Sequence, residues 1–189
     1  IDALGAVGDE AAASVISTEL GSSSPEVQLA TIAALGRCGA PAIPPLSKLL
    51  SVSGTTTPKS ETMEIWRRTI AALVTVGPDS RDALVRALKH PQNAVRRMAI
   101  EAMVQLKLVD AKVPIRLLLN DPSAVVRREA VKALGLLGDL EAAPLLAQRL
   151  ADSDSLVAQK AAQGLQGFGE GVVKSLLGSL KEADRDYGK

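Results

Sequence analysis

Three adjacent arginine pairs are the residues of this chain whose type and spacing most directly suggest chemistry. They are Arg67–Arg68, Arg96–Arg97 and Arg127–Arg128. A row of guanidinium groups could follow the phosphates of a nucleic acid. However, Glu64, Glu101 and Glu129 lie at helical spacing from these pairs, and such neighbours favour salt bridges on a solvated face. Because the net charge is only +1, we favour the ion-pair interpretation.

The chain holds one histidine, His90, and one cysteine, Cys38. A single cysteine cannot form an intrachain disulfide, and Cys38 lies at a position where other parts of the chain carry apolar residues, so we expect a buried thiol. One histidine cannot supply a centre of paired His-Glu ligands. The sequence also lacks a phosphate loop, a dinucleotide fingerprint and a nucleophile elbow. It therefore predicts a protein that is not an enzyme and has no cofactor or metal.

A recurring apolar pattern, V-x-x-x-A-x-x-A-L, explains where the arginine pairs lie. It fits Val126, Ala130, Ala133 and Leu134, and related copies follow at intervals of about 31 residues along the chain. This spacing places the four residues on one face of an α-helix. The small residues let a neighbouring helix approach closely. The composition agrees, because 47% apolar but only 2% aromatic residues suit thin layers of helices.

Each copy of the pattern ends at a helix breaker, and a second apolar helix follows it. The breakers are Gly8, Gly39, Gly77, Gly138 and Gly169. Glycine takes the left-handed conformation that ends a helix. Asp9 and Asp139 follow directly, Asp79 follows after one proline, and all three could cap the next helix. Each unit is therefore a helix–turn–helix whose apolar faces are buried only by stacking. The sequence predicts an all-α solenoid of about eleven helices.

We expect one solenoid domain over residues 1–189. Its units are predicted at 1–21, which is partial, and at 22–53, 58–90, 91–120, 121–151 and 152–183. The first unit has only half a repeat, so we expect the chain to be a fragment of a longer protein, with self-association through residues 1–20. No apolar run reaches the roughly 18 residues that a membrane helix needs, so no membrane partner is expected. The single cysteine slightly favours the cytoplasm.

The segment "DPSAVVRREAVKALGLLGDLEAAPLLAQRL" resembles a HEAT repeat of the short bacterial type called PBS-lyase HEAT-like, and the resemblance extends over nearly the whole chain. It implies a right-handed solenoid whose second helices line the concave surface. It also implies that Arg127 packs against an acidic residue of the preceding turn, here Asp121. Gln28, Trp66 and Ala158 replace that arginine in other units.

Two columns of solvent-facing positions on the second helices form the predicted binding surface. One column is Ser14, Pro44, Asp82, Val113, Pro144 and Lys174, and the other is Thr18, Lys48, Arg86, Leu117, Gln148 and Gly178. In the fourth unit the register is open by one residue, so Arg116 is an alternative to Leu117. The partner-binding residues we select are Lys48, Asp82, Arg86, Arg116, Gln148 and Lys174. Trp66, which follows the long insertion at 51–64, is a candidate loop contact.

The mixed character of these columns favours a protein or peptide partner over a polyanion. We therefore predict a non-catalytic scaffold module that binds a partner protein on its concave face. Two alternatives follow from the resemblance alone. One is a phycobilin-lyase-like subunit that holds a chromophore. The other is a HEAT-like DNA glycosylase, although a nucleic-acid partner is not expected because such an enzyme needs a basic channel and aromatic walls.

Overall fold

The computed structural model describes residues 10–51 and 59–169, together with Val172. Within these residues the regular structure consists of ten α-helices and short 3-10 turns, so the predicted all-helical fold is confirmed. The helices are α1 (Glu10–Ser17), α2 (Pro25–Arg37), α3 (Ile43–Leu50), α4 (Ser60–Val76), α5 (Arg81–Ala87), α6 (Asn93–Gln105), α7 (Lys112–Leu117), α8 (Ala124–Leu136), α9 (Ala143–Arg149) and α10 (Ser155–Gly167). None of the described helices is long and apolar enough to cross a bilayer.

The chain divides into two compact units that are larger than a single repeat, Ile1–Leu108 and Val109–Lys189. The first unit contains α1 to α6 and the second contains α7 to α10. In both units a long first helix alternates with a shorter second helix, in the order that the repeat predicts. The extent of a single solenoid and the exact repeat boundaries stay predictions.

In the first unit, the long helices α2, α4 and α6 pack side by side, and the short helices α3 and α5 pack against them. The buried apolar side chains between them are mostly aliphatic, and Trp66 is the one large aromatic side chain among them in the described residues. A side-chain carbon at Gly36 would lie 3.1 Å from the Cα of Ala72. The small residues of the pattern therefore do what the sequence predicts, because they let α2 and α4 approach at backbone distance.

In the second unit, α8 packs against α10, and α7 and α9 contribute Ile115 and Leu146 to the core. Here too the closest approach of the long helices uses glycine. A side-chain carbon at Gly135 would lie 3.6 Å from the Cα of Gly164. The same packing arrangement thus recurs in both units with different residues.

Four of the predicted helix breakers have the backbone conformation that favours glycine. Gly39, Gly77, Gly138 and Gly169 all have positive φ, whereas Gly8 lies outside the described residues. Lys107 also has a positive φ, of 51°, and it precedes Gly138 by one repeat length. A side chain costs about 1–2 kcal/mol in this conformation, so the turn after α6 is strained where its counterparts are not.

Candidate partner-binding surface

The two predicted columns on the second helices are exposed at every described position. In the first unit these positions are Ser14, Thr18, Pro44, Lys48, Asp82 and Arg86, and in the second they are Val113, Leu117, Pro144 and Gln148. Lys174 and Gly178 lie outside the described residues. The register in the fourth repeat is now settled, because Leu117 is 72% exposed whereas the Arg116 side chain is only 19% exposed. Whether these residues bind a partner stays a prediction.

In the first unit this surface is positively charged and contains two concavities. Lys48 lies beside one of about 370 Å³ that Ser17, Leu20 and Pro45 also line. Arg86 and Lys89 lie beside another of about 290 Å³, at the ends of α3 and α5. Asp82 is the acidic member of the columns in this unit. It is paired with Arg81 at 2.7 Å and not with Lys48 or Arg86.

His90 lines the second of these concavities and contacts the buried ring of Trp66. The two rings meet edge to face with centroids 5.0 Å apart. The Nδ1 atom of His90 accepts a hydrogen bond from the Gln92 backbone N–H at 3.0 Å, so the ring proton resides on Nε2. Burial lowers the pKa of His90, which keeps the imidazole neutral near pH 7.

The structure places Trp66 inside the protein, not at its surface. Its side chain is 1% exposed, and its role as a loop contact stays a prediction. Residues 52–58 of the neighbouring insertion lie outside the described residues. Sequence reasoning missed His90 as a pocket residue, because a lone histidine in a turn carries no pattern.

The arginine pairs are largely occupied by acidic residues of their own chain. Arg67 and Arg68 both bind Glu64, and together they lower its pKa, with the hydrogen bond from Arg68 as the largest cause. Arg97 binds Glu101 one helical turn away. The ion-pair interpretation therefore describes these arginines better than a phosphate-binding row.

The first arginine of the second and third pairs reaches backbone carbonyls of the preceding turn. Arg96 donates from Nη1 to the His90 carbonyl at 2.7 Å, and Arg127 donates in the same way to the Asp121 carbonyl at 2.9 Å. The neighbour expected for Arg127 is thus correct, but the hydrogen bond is to the backbone carbonyl of Asp121.

The carboxylate partner of Arg127 comes from the following turn instead. Its Nε and Nη2 atoms donate to the two carboxylate oxygens of Asp152 at 2.9 and 2.7 Å. This pair is almost fully enclosed, because the two side chains are 12% and 3% exposed. The arginine lowers the pKa of Asp152 through this hydrogen bond. Arg127 therefore joins one repeat to the next.

A second bidentate pair corrects the capping prediction for Asp139. No side-chain capping hydrogen bond forms at Asp139. Its carboxylate instead accepts from Nε and Nη2 of Arg116 at 2.6 and 2.5 Å, and Glu141 binds the same guanidinium at 2.8 Å. Hydrogen bonding to Asp139 is the main reason that the pKa of Arg116 is raised. Arg116 is thus engaged inside the second unit.

The column positions of the second unit are apolar rather than basic. Val109, Val113 and Leu117 are exposed and follow one another at intervals of one helical turn. Gln148 is the polar member of this stretch. Among the described residues, no group of three or more His, Cys, Asp or Glu side chains is arranged to hold a metal ion.

Comparison with known proteins identifies the repeat. Residues 111–189 match the family model for HEAT repeats, whereas the comparison with curated proteins finds no match. Among solved structures, a chain in the complex of CpcE and CpcF of phycocyanin lyase from Nostoc sp. PCC7120 is similar, with a TM-score of 0.61 and 21% identity over 84% of this chain. The match spans 65% of that chain.

Two further structures are similar. An engineered protein has a TM-score of 0.50 and 20% identity, with coverage of 90% of this chain and 89% of that one. Human deoxyhypusine hydroxylase in complex with glycerol has a TM-score of 0.48 and 17% identity, with coverage of 87% and 76%. At such identities the likeness to the phycocyanin lyase chain shows the fold alone. The resemblance inferred from the sequence is confirmed for residues 111–189, which match the family model for HEAT repeats.

Proposed function

We propose that this chain is a non-catalytic scaffold module that binds a protein partner on the exposed face of its second helices. The observation that carries the proposal is the contrast between two sets of cations. Lys48 and Arg86 lie on this face and have no ion-pair partner among the described residues, whereas Arg67, Arg97 and Arg127 are bound within the chain. The repeat family supports an interaction module in general terms.

The chemical character of the face supports a protein partner over a polyanion. The first unit offers Lys48 and Arg86 but also Asp82, whose charge would repel phosphates. The second unit offers Val113 and Leu117, which are apolar. Protein partners present both charged and apolar groups, whereas nucleic acids are bound mainly through repeated phosphate contacts.

A phycobilin-lyase-like role is the second candidate, and the observation that favours it is the fold likeness to the phycocyanin lyase chain. Under this alternative the same face would hold a chromophore. Mixing the protein with a free bilin tests it, because binding would give a coloured complex that survives gel filtration. A protein that elutes without colour would count against this role.

The proposed function is tested by affinity capture from a lysate of the source cell. Wild type is compared with a Lys48→Glu/Arg86→Glu variant, and the matched control is Arg67→Glu/Arg68→Glu, which reverses two exposed charges on α4 of the same unit. We expect a protein that is retained by wild type and by the control but lost by the first variant. Equal retention by all three proteins would remove this face as the binding site.

A further inference from the structure

We infer that the concavity at the ends of α3 and α5 in the first unit binds the carboxylate of an Asp or Glu side chain in an acidic segment of the partner protein. This inference rests on the proposed function and names the chemistry that the face recognises. It is carried by the lining of the concavity and by two exposed cations, Arg86 and Lys89, that have no ion-pair partner among the described residues.

The concavity has the size and lining of a side-chain pocket. Its volume is about 290 Å³, at the lower end of the range for small-ligand sites. The apolar part of the lining consists of Leu50, Ala83, Ala87 and Pro91. The polar part consists of Ser47, Ser51, Arg86, Lys89 and His90. Such a pocket accepts one acidic side chain together with an apolar neighbour, rather than an extended chain of charges.

Arg86 and Lys89 supply uncompensated positive charge at this pocket. Both are exposed, and neither has an ion-pair partner among the described residues. Asp82, one turn before Arg86, is turned to Arg81 instead. A guanidinium without a carboxylate retains its planar fork of donors, which matches the two oxygens of a carboxylate.

Two buried polar atoms in the lining lack hydrogen-bond partners. Ser47 Oγ and His90 Nε2 are both enclosed, and neither forms a hydrogen bond of ordinary geometry with a described residue, although the Leu50 backbone lies close to the imidazole. His90 is only 8% exposed, and its Nδ1 already accepts from Gln92. Because both atoms are enclosed, the groups that a ligand in the concavity can contact are the exposed side chains of Arg86 and Lys89.

The two exposed cations favour a carboxylate over a neutral ligand. A carboxylate is acceptor-only, and it interacts favourably with Arg86 and Lys89 at the same time. The apolar lining disfavours a nucleic-acid backbone, because successive phosphates would have to lie against Leu50, Ala83 and Pro91.

The test uses two defined peptides and two side chains of the protein, His90 and Trp66, as spectroscopic probes. The probe is a capped hexapeptide of alternating glutamate and leucine, and its control is the same peptide with glutamine in place of glutamate. The chain has one histidine and one tryptophan, and these two rings touch beside the pocket. The imidazole NMR signals of His90 therefore report on the pocket, and the fluorescence of Trp66 reports on the ring in contact with His90.

We expect the glutamate peptide, but not the glutamine peptide, to shift the His90 signals and to raise the pKa of His90. Replacing Arg86 by Gln weakens the binding about tenfold, because a charge-assisted hydrogen bond is lost. The matched variant Arg67→Gln changes the affinity less than about twofold, since that side chain lies on another helix. Lys89→Gln gives a second, independent loss.

Three results would overturn the inference. They are no shift with the glutamate peptide, equal binding by wild type and Arg86→Gln, and a larger response to a hexathymidine oligonucleotide than to the peptide. The failure of the pocket can be separated from that of the proposed function by Lys48→Glu, which lies outside the pocket. If this variant still fails to bind the partner protein, the proposed binding face is supported and only the carboxylate site is refuted.

Discussion

The enclosed pair between Arg127 and Asp152 gives a sharp test of whether the arginines serve the fold. The perturbation is Asp152→Asn, which keeps the shape and one acceptor oxygen but removes the charge. Breaking a buried ion pair costs about 3–5 kcal/mol. Because Arg127 keeps its carbonyl partner at Asp121 and the asparagine oxygen, we expect a loss of about 2–3 kcal/mol in the free energy of unfolding.

The matched control is Glu101→Gln, which makes the same chemical change in a pair that solvent reaches. The side chains of Arg97 and Glu101 are each more than one-third exposed, and such pairs contribute about 0–1 kcal/mol. Urea unfolding followed by circular dichroism compares the two variants. Hydrogen exchange over α8 and α10 shows whether the loss is local, since repeat proteins open in parts.

Equal destabilisation by the two substitutions, within about 0.5 kcal/mol, would refute the reasoning. It would mean that enclosure of the Arg127–Asp152 pair does not determine its contribution. A larger loss for Asp152→Asn would instead show that Arg127 stabilises the fold and is not part of a phosphate-binding row.

The pH dependence of the free energy of unfolding gives a second measurement of the same ion pair. Because the folded-state pKa of Asp152 is lowered, this contribution is present above the unfolded pKa of about 3.8 and is lost as the pH falls below it.

Further predictions concern the turn, the histidine and the second-helix face. Lys107→Gly should raise the free energy of unfolding by about 1 kcal/mol, and Gly138→Ala at the equivalent turn should lower it by about the same amount; thermal unfolding of both variants checks the opposite signs. Because burial lowers the pKa of His90, the unfolded state binds the proton more readily, so stability should fall as the pH drops below about 6.5. His90→Gln should remove this dependence in urea titrations at pH 5 to 7. Leu119→Ala should cost about 3 kcal/mol, whereas Leu117→Ala should cost less than about 0.5 kcal/mol; similar costs in the same denaturation assay would contradict the assigned register.

The sequence predicts the repeating parts of this fold because periodicity carries that information. The spacing of Val126 and Ala130 fixes the buried face of one helix, and the glycine that follows most copies of the pattern fixes where those long helices end. The exposure of Lys48, Arg86 and Gln148 follows from the same register. Such predictions depend on contacts within one helix or one turn, so the local pattern suffices.

The parts that could not be predicted depend on contacts between repeats. Arg127 binds Asp152, which lies 25 residues away, and a carboxylate in the preceding turn is an equally plausible partner on sequence grounds. Asp139 stands where a capping residue belongs, but Arg116 competes for its oxygens. The contact between Trp66 and His90 has no counterpart in the other repeats, so no repeated sequence pattern predicts it.

The Arg127–Asp152 link also bears on how such a chain can be cut or duplicated. The predicted repeat 121–151 ends one residue before the carboxylate that its own arginine binds. A segment excised at these sequence limits would carry Arg127 without its partner, while a segment extended through Asp154 would carry both. The unit suited to recombination, gene duplication or repeat engineering is therefore offset from the unit that the sequence pattern displays.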